Sequence, residues 1–133
     1  MSERTPAIRV TAMPADTNPY GGVFGGWLMS QMVLAAGSLA SRTAKGKAVV
    51  VAADELRFTG AMAVGDELSV YTTLEKQGRT SMTIAVEAVA RERDAEAETK
   101  VASGRFTFVA IGADEKPREL PSSQPLSRRG ERG

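Results

Sequence analysis

The 133-residue sequence contains no histidine and no cysteine. Without histidine there are no Ser-His-Asp or Cys-His nucleophile systems and none of the usual histidine-based zinc sites. No metal is expected, and any chemistry must run on carboxylates, amides, hydroxyls or backbone groups. Without cysteine there is neither a disulfide framework nor a thiolate, which suits a reducing cytoplasm. An excess of one charge sign is also missing, with 17 Lys and Arg against 16 Asp and Glu. Nothing global therefore points to nucleic acid or to a polybasic membrane surface, and an anionic ligand has to be met by local groups. No apolar run approaches the roughly 20 residues of a membrane helix. The opening Met1-Ser2-Glu3-Arg4 is not followed by the apolar stretch of a secretory signal. The expectation is a soluble, unprocessed, cytoplasmic chain.

What remains is enough for one core. A chain of this length with 42% hydrophobic residues fits a single domain, expected over residues 1–116, with no room for a second. From Pro117 onward the prolines, serines and basic residues lack apolar periodicity, so residues 117–133 read as a mobile tail. Thr5–Ala12 alternates weakly, as an edge strand does. Met13-Pro-Ala-Asp-Thr-Asn-Pro-Tyr-Gly-Gly22 holds two prolines and two glycines and reads as a loop. From Gly25, Leu28, Met29, Met32, Val33, Ala36, Leu39 and Ala40 recur at helical spacing with few charges before Arg42. This predicts a long, largely enclosed helix that ends at Lys45-Gly46-Lys47.

Ala48–Phe58, Glu67–Lys76, Ser81–Arg91 and Lys100–Ile111 are alternating or β-branched and are separated by short turns. They predict an antiparallel meander. The expected fold class is α+β: about five antiparallel strands wrapped around one apolar helix.

The segment Asn18-Pro-Tyr-Gly-Gly-Val-Phe-Gly-Gly-Trp27 carries the chemical signal. A helix that starts on Gly25-Gly26 presents unobstructed N–H groups, and its dipole favours negative charge there, as an oxyanion site requires. Paired glycines also serve simply to let a helix pack closely on a strand. Asn18 before Pro19 is equally a turn former. Gly78-Arg79-Thr80-Ser81 offers a cation beside two hydroxyls, fit for a phosphate or an amide, or else an ordinary hairpin turn. Arg57, Lys76, Lys100 and Arg105 are further cations that the sequence does not place.

From about Arg9 to Pro121 the sequence resembles the YciA-like and brain-type acyl-CoA hydrolases, hotdog-fold thioesterases in which a loop asparagine precedes a Phe-Gly-Gly-Trp helix start. Phe58, Val64-Gly65-Asp66, Gly78-Arg79-Thr80-Ser81 and Phe106-Thr-Phe-Val-Ala110 extend the match in the same order. The resemblance implies a hotdog fold, acyl-CoA or coenzyme A as ligand with no separate cofactor, and a homodimer or trimer of dimers. Active sites would lie between subunits, and the sheet would be continuous across the dimer. It implies that Asn18 orients the thioester or the attacking water, and that Gly25, with Gly26, stabilises the oxyanion. It also implies that Gly78, Arg79, Thr80 and Ser81 lie along coenzyme A.

The sequence departs from this family at three positions. The helix aspartate that serves there as base or nucleophile is Val33, the acid after Tyr20-Gly21 is Gly22, and the acid before the Phe-Thr-Phe strand is Ser103. Val33 shares a helix face with Met29, Ala36 and Ala40, as a core residue would. A substitute carboxylate is open at Asp16, Asp54 or Glu55, each of which also reads as a turn, cap or strand-edge residue. Two functions follow from the resemblance: a thioesterase-like hydrolase with a departed or replaced base, and a catalytically silent acyl-CoA-binding oligomer. A hotdog dehydratase would need histidine.

Overall fold

The computed structural model describes residues 4–122. Its elements are strand β1 (Ile8–Thr11), one 3-10 turn (Pro14–Asp16), helix α1 (Gly25–Ala44), and strands β2 (Ala48–Phe58), β3 (Glu67–Gln77), β4 (Ser81–Arg91) and β5 (Glu98–Ala110). The five strands form one antiparallel sheet in the order β1-β3-β4-β5-β2. This is the expected α+β arrangement.

Period-two alternation sets which face the sheet turns to the helix. Met82, Ile84, Val86, Ala88 and Ala90 of β4, and Ala102, Phe106, Phe108 and Ala110 of β5, are buried. Leu28, Met32, Ala35, Ala36 and Ala40 of α1 complete this core. The helix side is built largely of alanine, so the sheet curls close. A side chain begun at Gly37 would meet the Phe108 ring at 3.6 Å.

The helix ends as expected at Lys45-Gly46-Lys47, but Lys45, not the glycine, takes the left-handed position, with φ 56°. A non-glycine residue there is costly, and Arg118 offsets it by capping from outside. Its Nη2 donates to the Ala44 carbonyl at 2.7 Å.

β1 is shorter than the predicted Thr5–Ala12, because Pro6 has no N–H to give the ladder with β3. The segment assigned to a mobile tail begins too early at Pro117. The Arg118 N–H donates to the Ala110 carbonyl, the Leu120 N–H donates to the Arg79 carbonyl, and Leu120 is buried against the core. One aliphatic side chain at the end of a polar run leaves no periodicity to detect. The rest of that expected tail, residues 123–133, lies outside the described residues.

β2 pairs with β5 along one edge only. Its register slips between Val50 and Ala52 and again between Asp54 and Arg57, where Glu55 adopts φ 53°. Nine of its eleven residues are exposed, among them Val49, Val50, Val51 and Phe58. An apolar strand open along its outer edge is a template for another strand. Among the described residues no helix is long and apolar enough to cross a membrane.

Candidate active site

The loop ahead of α1 is fixed by its own polar groups. Asp16 Oδ2 accepts the Met13 N–H at 2.9 Å and closes the 3-10 turn, while the Asp16 carbonyl accepts the Phe24 N–H at 2.7 Å and ties the turn to the helix start. The turn-and-cap reading of Asp16 is thus realised. Asn18 Oδ1 accepts from the N–H groups of Tyr20, at 2.8 Å, and Gly22, at 3.3 Å, and the Asn18 N–H donates to the Gly22 carbonyl. The turn-forming reading of Asn18 is thus realised, and it leaves the amide nitrogen out of the turn. The turn consumes the amide oxygen, and no described residue accepts from Nδ2, which leaves a half-buried asparagine with a donor to offer.

α1 begins without a side-chain cap. The first amides with helical-turn partners are those of Trp27 and Leu28, both donating to the Phe24 carbonyl. The N–H groups of Gly25 and Gly26 have no acceptor among the described residues, as the first turn of a helix requires unless something caps it. The space around the two glycines separates the readings left open by the sequence. A Cβ at Gly25 would meet nothing within 4 Å, so close packing on a strand does not explain that glycine. A Cβ at Gly26 would come within 2.7 Å of the Phe24 ring. Bare amides at a positive helix end, on a loop with a spare amide donor, make an arrangement that can hold a polarised carbonyl oxygen.

Val33 is half-buried and packs on the edge of the core, while Ala36 and Ala40 on the same face are fully buried. The position is neither sealed nor open. α1 contains no acidic residue at all. Gly22 lies in the Asn18 turn. Ser103, by contrast, is on the face of the sheet turned away from α1, opposite Glu87 and Arg57. It is therefore not beside the loop, and it lines a different cavity of about 310 Å³ together with Arg57, Lys100, Arg105, Glu55 and Glu75. There Arg105 is committed to Glu75 and Glu55, each at 2.7 Å. The Glu75 hydrogen bond, then the Glu55 charge, raise its pKa. Asp54 sits beside Arg105 in the ladder, on the exposed strand edge. Neither Asp54 nor Glu55 joins Asn18 and Gly25.

Gly78, Arg79, Thr80 and Ser81 form the β3–β4 turn, closed by the Gly78 N–H donating to the Ser81 carbonyl at 2.7 Å. The Thr80 carbonyl accepts from Ala110, and the Arg79 carbonyl from Leu120, so the turn lies at the end of the sheet where α1 finishes. Lys76 is on the same end of β3. Asn18 and Gly25 sit where α1 starts, and a helix of 20 residues spans on the order of 30 Å. One chain does not bring the two halves of the predicted site together. Two features escaped the sequence reading. One is the ion pair of Arg79 with Glu119, at 3.0 Å, for which spacing gives no signal. The other is the exposed trio of Met13, Tyr20 and Phe24 around the helix start, where aromatic residues in a proline-rich loop were a legible cue.

Residues 20–97 match the family model described as the thioesterase superfamily. The chain is 53% identical over 116 residues to an uncharacterized acyl-CoA thioester hydrolase of Zymomonas mobilis, covering 87% of this chain and 78% of that one. It is 40% identical over 117 residues to the acyl-CoA thioester hydrolase YciA of Salmonella typhimurium, covering 86% and 88%. Among solved structures, a hexameric broad-specificity acyl-coenzyme A thioesterase carrying an aspartate-to-alanine substitution superposes with a TM-score of 0.87. It shows 33% identity over 97% of this chain and 99% of that one.

Proposed function

The chain belongs to the thioesterase superfamily, and from that premise we propose that it binds acyl-coenzyme A thioesters and hydrolyses them in an oligomer built on a two-fold dimer. The observation that carries the reading is the pair of amides at Gly25 and Gly26 that have no acceptor among the described residues. They stand on a loop whose Asn18 has its oxygen engaged and its Nδ2 free to donate. The thioester carbonyl oxygen takes the place of the missing cap. Water adds to the acyl carbon, and negative charge collects on that oxygen, where preorganised donors stabilise it. Collapse breaks the C–S bond, one water proton passes to the thiolate and the other to solvent, and coenzyme A and a carboxylate leave. Nothing beyond water is consumed, so no cofactor other than the coenzyme A of the substrate is called for.

The outer edge of β2, unpaired among the described residues, supports the dimer. Antiparallel pairing of two β2 edges sets the Ala48 end of one copy beside the Phe58 end of the other. It thereby brings the second copy's Gly78–Ser81 turn to the same end of the joined sheet as the first copy's Asn18 and Gly25. The two half-sites separated within one chain then serve one ligand, with Arg79 and the Thr80 and Ser81 hydroxyls toward the coenzyme A phosphates and pantetheine. The hexamer reported for the structural neighbour supports a trimer of such dimers. The absence of cysteine and of a described membrane-crossing helix supports the cytoplasm as its compartment.

A second reading rests on α1 itself. With Val33 at the edge of the core and no carboxylate on the helix, the protein is an acyl-CoA-binding oligomer that has lost hydrolysis. Thiol release from short, medium and long acyl-CoAs, measured beside calorimetric binding of coenzyme A, decides between them. Turnover well above the uncatalysed rate selects the hydrolase, binding without turnover selects the silent oligomer, and neither binding nor turnover refutes both.

A further inference from the structure

The β3–β4 turn carries a cation that is already occupied. Arg79 Nη1 donates to Glu119 Oε2 at 3.0 Å, across 40 residues of sequence. The pair is exposed, yet the backbone beneath it is not free to drift. The next residue, Leu120, is buried and donates its N–H to the carbonyl of Arg79 itself at 2.8 Å. On the far side Gln77 Nε2 donates to the Pro121 carbonyl at 3.0 Å, and Arg118 is anchored to Ile111 and Ala44. The strap from Arg118 to Pro121 therefore lies along the turn, and it holds the Glu119 carboxylate within reach of Arg79.

We propose that Glu119 is a built-in competitor for the coenzyme A phosphate at Arg79, and so a residue that sets coenzyme A affinity without touching the ligand. This rests on the reading of Gly78–Ser81 as the coenzyme A contact. The carboxylate takes the Nη1 donor and offsets the guanidinium charge, so a phosphate that reaches the remaining N–H groups of Arg79 meets a weakened cation and gains its full attraction only as the carboxylate withdraws. A carboxylate tethered through the backbone competes at a fixed local concentration, whatever the concentration of free anions. Exposed ion pairs are weak, so the competitor tunes affinity and does not close the site.

The test is coenzyme A binding by calorimetry to the full-length protein, to Glu119→Gln, to Arg79→Ala and to the double variant, each at low and high salt. Expected are binding about threefold tighter in Glu119→Gln, the gain shrinking at high salt, weaker binding in Arg79→Ala, and a double variant equal to Arg79→Ala alone. Unchanged affinity in Glu119→Gln with a loss in Arg79→Ala overturns the competitor and leaves the coenzyme A contact standing. The same gain in the Arg79→Ala background also overturns it, since the effect is then the general field of one removed charge. If Arg79→Ala binds as the unaltered protein does, the underlying contact fails and the competitor with it.

Discussion

The Arg118 guanidinium donates to the carbonyl of Ala44 at 2.7 Å, closing the last turn of α1 with a side chain from beyond the end of the sheet. The same side chain crowds Gly46, where a Cβ would come within 2.8 Å of its Nη2. A side chain at position 46 would push the end of Arg118 aside and disturb its bond to Ala44, although Lys45 makes the left-handed turn. Replacing Arg118 by alanine removes a charge-assisted bond from a partly buried carbonyl and is expected to cost about 1–3 kcal/mol. Thermal unfolding should show the midpoint falling by several degrees with the fold retained.

Two truncations locate the true end of the domain. A chain stopped after Pro121 keeps Leu120 and the bonds of Arg118, and its melting temperature is expected to match that of the full chain. A chain stopped after Lys116 loses both and is expected to melt markedly lower, since Leu120 is buried against the core and its burial is worth about 1.5–3 kcal/mol. Equal melting for the two would show that the strap contributes nothing.

How much was legible in the sequence follows from which forces act locally. The spacing of Leu28, Met32, Ala36 and Ala40 declared the helix, and the alternation of β4 and β5 declared the sheet, because periodicity and burial are the same fact seen twice. Leu120 was lost because one buried side chain makes no period. The glycines at 25 and 26 could be singled out but not interpreted, since whether a Cβ is refused by a strand or by nothing is a matter of three-dimensional neighbours. The separation of Arg79 from Asn18 was illegible for the same reason: a motif list has order but no distance.

The open edge of β2 makes a prediction about assembly. Lysines at Val49 and Val51, both exposed in the single chain, are expected to block strand pairing, because charged side chains blunt an edge. Light scattering should show the oligomer giving way to a smaller species at micromolar concentration. Loss of coenzyme A binding should accompany it if the site is shared between copies. An unchanged oligomer would move the dimer contact to another surface.

Glu67 and Arg91 tie β3 to β4 at 2.9 Å, with Arg9 of β1 3.7 Å from the same carboxylate oxygen. The hydrogen bond from Arg91, followed by the charges of Arg91, Arg9 and Arg93, holds the Glu67 carboxyl below its ordinary value of 4.5, against the opposing effect of burial. A carboxyl whose pKa is lower in the folded state contributes stability that is present above its unfolded pKa and lost as pH falls through the folded one. Glu67→Gln is therefore expected to lower the melting temperature at pH 7 and to flatten its decline below pH 4.5. Parallel acid limbs for the two proteins would assign the acid sensitivity elsewhere.

The decisive substitution is at Val33, where the resembled family carries aspartate and this chain carries an apolar side chain at the rim of the core. Because Val33 is only half-buried, a carboxylate there need not be stripped of water as it would be at Ala36 or Ala40, and it should stay ionised without breaking the fold. If the Asn18 donor and the Gly25 amide are set for a thioester carbonyl, the only part missing is a base. A positioned general base supplies about 10²–10⁴ in rate, and a grafted one about tenfold or more. Val33→Asp is thus expected to raise thiol release from acyl-CoA at least tenfold. Adding Asn18→Ala should then remove most of the gain, since base and carbonyl donor act on one transition state and their effects are not additive. A Val33→Asp protein that folds and binds coenzyme A normally, yet hydrolyses no acyl-CoA of any chain length faster than before, would show that the donors at Asn18 and Gly25 are not arranged for hydrolysis.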